Sequence, residues 1–136
     1  MSLRSVAAAA GILALSVVGV PAASAAPAIP LNGEQEVAAA DDDGHGFFTY
    51  TLEGTTFCWT LSWENLEPPT AAHVHLAPRH IAGPVVIPLA LTTSPSSGCN
   101  TIPENVATGI SADPKAYYVN IHTATFPGGA IRGQLK

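Results

Sequence analysis

The segment Phe57-Cys58-Trp59-Thr60-Leu61-Ser62-Trp63 constrains the fold more than any other stretch of the chain. Phe57, Trp59, Leu61 and Trp63 fall on one side of it, and Cys58, Thr60 and Ser62 on the other. Such alternation marks a half-buried β-strand, because successive side chains of a strand point to opposite faces. Four large apolar side chains on one face need an opposing layer, since an isolated hairpin cannot cover them. The strand therefore belongs to a multi-stranded β-structure with a packed interior.

The neighbouring segments supply the other strands. Residues 46–52 read as a partner strand, joined through Glu53-Gly54-Thr55 as a tight hairpin. Residues 71–76 and 84–89 form two further strands around an irregular loop containing Pro78 and Gly83, and 92–100 is a Ser/Pro/Gly loop carrying Cys99. Residues 103–112 are the helix candidate, short, weakened by Gly109 and stopped before Pro114. A closing hairpin follows over 117–135, turning at Phe126-Pro127-Gly128-Gly129. Its first strand sets Tyr117, Val119 and Ile121 against Tyr118, Asn120 and His122; its second sets Ile131 and Leu135 against Arg132 and Gln134. About seven short strands and one short helix predict an all-β antiparallel Greek-key β-sandwich or barrel.

The start of the chain sets the compartment. Arg4 precedes an uncharged apolar run over 6–20, and Pro21 and the small-x-small triplet Ala23-Ser24-Ala25 follow it. This pattern predicts a signal peptide over 1–25, cleaved to leave a secreted domain over 26–136 with no stable membrane anchor. Residues 26–30 then form an Ala/Pro leader before the first strand. Cys58 and Cys99, the two cysteines, would meet oxidising conditions and form a disulfide. In the chain-entropy picture such a bridge stabilises by about 4 kcal/mol. Loss of Arg4 leaves four Lys/Arg against ten Asp/Glu, a formal charge of −6. That balance argues against nucleic acid and anionic membranes, which reward basic patches.

Several blocks resemble the chordin-repeat (CHRD) domain family. Leu31-Asn-Gly-Glu-Gln-Glu-Val37 is similar to its opening motif, and Ala72-His73-Val74-His75 with Gly83-Pro84-Val85-Val86 to its central histidine motif. Tyr118-Val-Asn-Ile-His-Thr123, Pro127-Gly-Gly129 and Ile131-Arg-Gly-Gln-Leu135 resemble its closing hairpin. Ala38 stands where the family usually has proline, and Leu76-Ala-Pro-Arg-His80 replaces a glycine-rich loop. The resemblance implies an extracellular all-β domain; it bears on fold and location rather than on an activity.

The chemistry worth weighing lies in the histidines. His73 and His75 stand two apart on a predicted strand, so both rings leave the same face, about 6.5–7 Å apart at the backbone. His122 lies on another strand, on the face of Asn120 and Tyr118. Should the strands meet, three imidazoles would converge, a set suited to copper or zinc. The competing reading is structural, with the rings joining a polar network with Asn120, Thr123 and Arg132. Arg132 itself calls for a counter-charge such as Glu36, because an unpaired buried guanidinium is costly. His45 and His80 fall in predicted loops, and Asp41-Asp42-Asp43 reads as a solvated loop.

Catalytic patterns are thin. There is no Gly-x-Ser-x-Gly elbow, and Glu34, Glu36, Glu53, Glu64 and Glu67 read as strand-end or loop acids rather than a catalytic pair. No catalytic residue is assigned. The sequence thus predicts a secreted binding or structural module for an unidentified extracellular protein or surface. The alternatives are an extracellular copper or zinc protein and, by fold-level analogy, an oxidoreductase of superoxide dismutase type.

Overall fold

The computed structural model describes residues 26–136, so the expected signal peptide over 1–25 lies outside the described residues. Eight strands form one antiparallel sheet: β1 (Ile29–Asn32), β2 (His45–Glu53), β3 (Thr56–Glu64), β4 (Pro69–Leu76), β5 (Val85–Leu89), β6 (Ser96–Thr101), β7 (Tyr117–Thr123) and β8 (Ile131–Gln134). Among the described residues a single α-helix, α1 (Glu104–Ala112), stands between β6 and β7. The strand order is β5-β4-β7-β8-β1-β2-β3-β6. The expected all-β Greek-key architecture is what is found, as a nearly closed barrel.

Two four-stranded halves meet at a thin seam, where β1 and β8 share the pair Asn32↔Arg132. The free edges β5 and β6 are bridged by a side chain. Asn100 on β6 donates to Pro88 O on β5 at 3.1 Å and accepts from Trp59 Nε1 at 2.8 Å. Pro88 on β5 interrupts the row of backbone donors, which blunts that edge against pairing with another sheet.

The alternating strand behaves as its pattern requires. Phe57, Trp59 and Leu61 are buried in the core, while Trp63, at the strand end, is partly exposed and packs against it. Cys58 faces away and sits directly opposite Cys99 in the β3–β6 ladder, where the two are joined as a disulfide.

Two segments depart from expectation. The loop over 92–100 contains β6, whose residues Ser96-Ser97-Gly98-Cys99-Asn100-Thr101 lack apolar alternation because only Ser96 is buried. The Ala/Pro leader over 26–30 gives way at Ile29 to β1, which buries Ile29 and Leu31 between β2 and β8. His45, read as a loop residue, opens β2, 3.4 Å from Glu64.

Helix α1 occupies most of its predicted span and packs Ala107 and Ile110 into the core. Gly109 has a specific reason to be there, because a Cβ at this position would collide with the Tyr117 hydroxyl. Among the described residues no helix is long and apolar enough to cross a membrane.

Candidate metal centre

On β4, Ala72 and Val74 face the apolar core, so His73 and His75 leave the opposite face of the sheet. β7 lies beside β4 with the pairs Ala71↔His122, His73↔Asn120 and His75↔Tyr118. β8 continues the face with Asn120↔Arg132 and Tyr118↔Gln134. The outward side of these three strands is therefore polar, yet much of it is not wet. Arg132 is 0% exposed, Asn120 1% and His75 7%, because the 77–83 loop and the turn over 124–130 fold across them. The molecule has two interiors: an apolar one inside the barrel and a polar one between the barrel wall and its loops.

Three imidazoles converge in this polar layer. One ligand nitrogen from each of His73, His75 and His122 lies within 4.8 Å of the others. His73 Nδ1 and His122 Nε2 are 3.1 Å apart. Nitrogens bound to one tetrahedral metal at about 2.0–2.1 Å are separated by about 3.3 Å, so this pair already stands near ligand spacing.

Hydrogen bonds to backbone carbonyls fix two of the tautomers. His75 Nδ1 donates to Gly83 O and His122 Nδ1 donates to Pro127 O, each at 2.9 Å. A carbonyl only accepts, so both Nδ1 atoms carry the proton and both Nε2 atoms present lone pairs. His122 Nε2 then accepts from His73 Nδ1. His75 Nε2 is buried without a partner, as is Oδ1 of the adjacent Asn120. Two buried lone pairs with no donor are what a cation would satisfy.

Burial favours the neutral form of His73 and His75. Burial lowers the pKa of His73 below the usual imidazole value, and the neighbouring His122 and His75 lower it further. Burial is also the main cause lowering His75, only partly offset by its bond to Gly83. Neutral imidazole is the form that binds metal.

Arg132 and Gln134 hold the covering loop. The guanidinium donates to Pro78 O and Ile81 O, both at 2.9 Å, and to Gln134 Oε1 at 3.2 Å. Gln134 Nε2 reaches Ala77 O at 2.8 Å and Lys115 O at 2.7 Å. Arg132 also lies over the Tyr118 ring, 3.4 Å from its centroid. Tyr118 in turn stacks on His75 at 4.7 Å with planes 3° apart, and its hydroxyl accepts from Gly83 N at 3.2 Å.

The expected partners are rearranged. Arg132 forms no ion pair with Glu36; two backbone carbonyls and Gln134 Oε1 accept from its terminal nitrogens, while Nε is buried without a partner, although the Glu36 charge is felt there. Asn120 donates to Glu36 Oε1 at 3.3 Å, and Thr123 Oγ1 accepts from Phe126 N within the hairpin turn. The carbonyls that orient His75 and His122, the Tyr118 stack and the Gln134 clamp were not foreseen. Tyr118 and Gln134 were legible in principle, since both share the face of His122 and Arg132. Asp41 in the acidic run uses its carboxylate locally, accepting from the Asp43 and Gly44 amides.

Comparison with known proteins gives one match. The family model described as the CHRD domain matches residues 28–135, a span that takes in all eight strands and the three histidines. No curated protein and no solved structure matches the chain.

Proposed function

This chain belongs to the CHRD domain family, and from that premise we propose that it is an exported binding module whose ligand is a transition-metal ion held by His73, His75 and His122. Export is supported by the apolar leader ending in Ala23-Ser24-Ala25 and by the disulfide, which needs an oxidising compartment to persist. The observation that carries the metal reading is the orphaned His75 Nε2. Its partner nitrogen is committed to Gly83 O, its lone pair is buried, and two further imidazoles lie within reach.

Binding would need little rearrangement. His75 and His122 present Nε2 as they stand, with Gly83 O and Pro127 O orienting the rings as carbonyl partners of metal-bound histidines do. His73 would move its proton from Nδ1 to Nε2, exchanging a hydrogen bond to His122 for a bond to the ion. The alternative is a closed polar network, favoured by the existing His73–His122 contact; turning the Asn120 amide over, away from its present bond to Glu36, would let Nδ2 donate to His75 Nε2 and close it.

Titration of the purified, metal-stripped protein with Cu²⁺, Zn²⁺ and, under anaerobic reduction, Cu⁺ separates the two. The metal reading expects one equivalent bound, and loss of at least ten- to a hundredfold in affinity in His75→Ala and His122→Ala. No stoichiometric uptake, or uptake indifferent to both substitutions, leaves the network reading standing.

A further inference from the structure

We propose that this site selects copper and holds Cu(I) more tightly than Cu(II) or Zn(II), an inference that rests on the metal-site reading above. The donor set, in its charge and its number, and a nearby cation point the same way.

The donor set is neutral. The cluster consists of three imidazoles, with no carboxylate or thiolate among its members. None of the ion's charge is cancelled by its ligands, so in a site where His75 is buried and His73 and His122 are half-buried a monovalent ion is less penalised than a divalent one.

A buried cation stands behind it. Arg132, Tyr118 and His75 form a column of guanidinium, phenol and imidazole, with spacings of 3.4 Å and 4.7 Å. The guanidinium is thus within about 8 Å of the His75 ring, where at an effective dielectric of ~20 each added unit of positive charge weakens binding by roughly tenfold or more. Glu36 supplies the opposing charge, but from the far side of Asn120 and without an ion pair to Arg132.

The ligand count is low. Three imidazoles suffice for Cu(I), whereas Cu(II) prefers a tetragonal set of four or more donors and Zn(II) a closed tetrahedron, and beyond the imidazoles the buried Asn120 Oδ1 offers only a neutral amide oxygen.

The test measures both copper affinities on the same protein. Cu(I) is followed anaerobically with ascorbate by competition against a chromophoric bicinchoninate chelator, and Cu(II) by competition against glycine. The expected result is a Kd for Cu(I) at least tenfold below those for Cu(II) and Zn(II). Arg132→Gln should shift the Cu(I)/Cu(II) ratio toward Cu(II) by about tenfold, or about 59 mV for a one-electron couple. Arg132→Lys, which keeps the charge, should hold the ratio.

Because Arg132 is buried and its loss threatens folding, Glu36→Gln provides the second arm, with a shift of opposite sign toward Cu(I). Equal affinity for the two oxidation states overturns the inference, and so do variants that weaken both states alike, which is what a purely structural role predicts. Zinc bound without copper overturns this inference alone; failure to bind either metal overturns the metal-site reading itself, and this inference with it.

Discussion

At the scale of single residues, His75 and its neighbours couple the site to pH. In the unfolded chain His73 and His75 take up protons near 6.5, whereas burial depresses both in the folded protein. Stability is therefore undiminished above about 6.5 and declines as pH falls from there through the depressed folded values. Glu36 works in the other direction: burial raises its carboxyl above 4.5, so its contribution is present below that value and is lost as pH rises through the folded one. Calorimetry of the metal-free protein between pH 7 and 5 should show a shallower decline in Tm for His73→Ala than for the wild type. Glu36→Gln, lacking the opposing contribution, should decline more steeply. The three histidines were legible because strand periodicity assigns faces without knowledge of the fold. Their carbonyl partners were not, because a backbone oxygen in the 77–83 loop carries no side-chain signature, and that loop turns through His80 at a φ of 65°. Arg132 was misjudged for a related reason: charge suggests a charged partner, yet three neutral oxygens satisfy most of its donors.

At the scale of elements, local propensity and packing disagree most sharply on α1. Gly109 in mid-helix is about 1 kcal/mol worse than alanine by propensity alone. The Tyr117 hydroxyl occupies the space an added methyl needs, and Tyr117 is itself buried. Gly109→Ala should thus destabilise the protein by about 1–3 kcal/mol in denaturant unfolding, the usual cost of overpacking, instead of stabilising it. Adding Tyr117→Phe should restore part of the loss. A gain in stability from the single substitution would show that packing yields to propensity here. Strand β6 escaped the sequence reading through the same tension, since its pairing with β3 and its disulfide hold in place a segment with almost no buried side chains.

At the scale of the whole molecule, closure of the sheet depends on few groups. Asn100 links Trp59 Nε1 to Pro88 O across the gap between β6 and β5. Asn100→Ala should remove about 1–3 kcal/mol, because it leaves the indole donor without its acceptor. Hydrogen exchange should then quicken in β5 and β6 before the β7–β8 pair; uniform loss of protection would assign closure to the rest of the sheet. The β4–β7 ladder has a further consequence. Val74 and Ala72 serve the apolar interior from the same strand that sends His73 and His75 to the polar layer. A slip of one residue would exchange the two sets, driving imidazoles into the hydrocarbon core and valine into the polar layer. Core and site share one reading frame, so a chain that builds the barrel in the wrong frame cannot retain the site, and bound metal would report on correct pairing of strands brought together from His73 and His122, 49 residues apart.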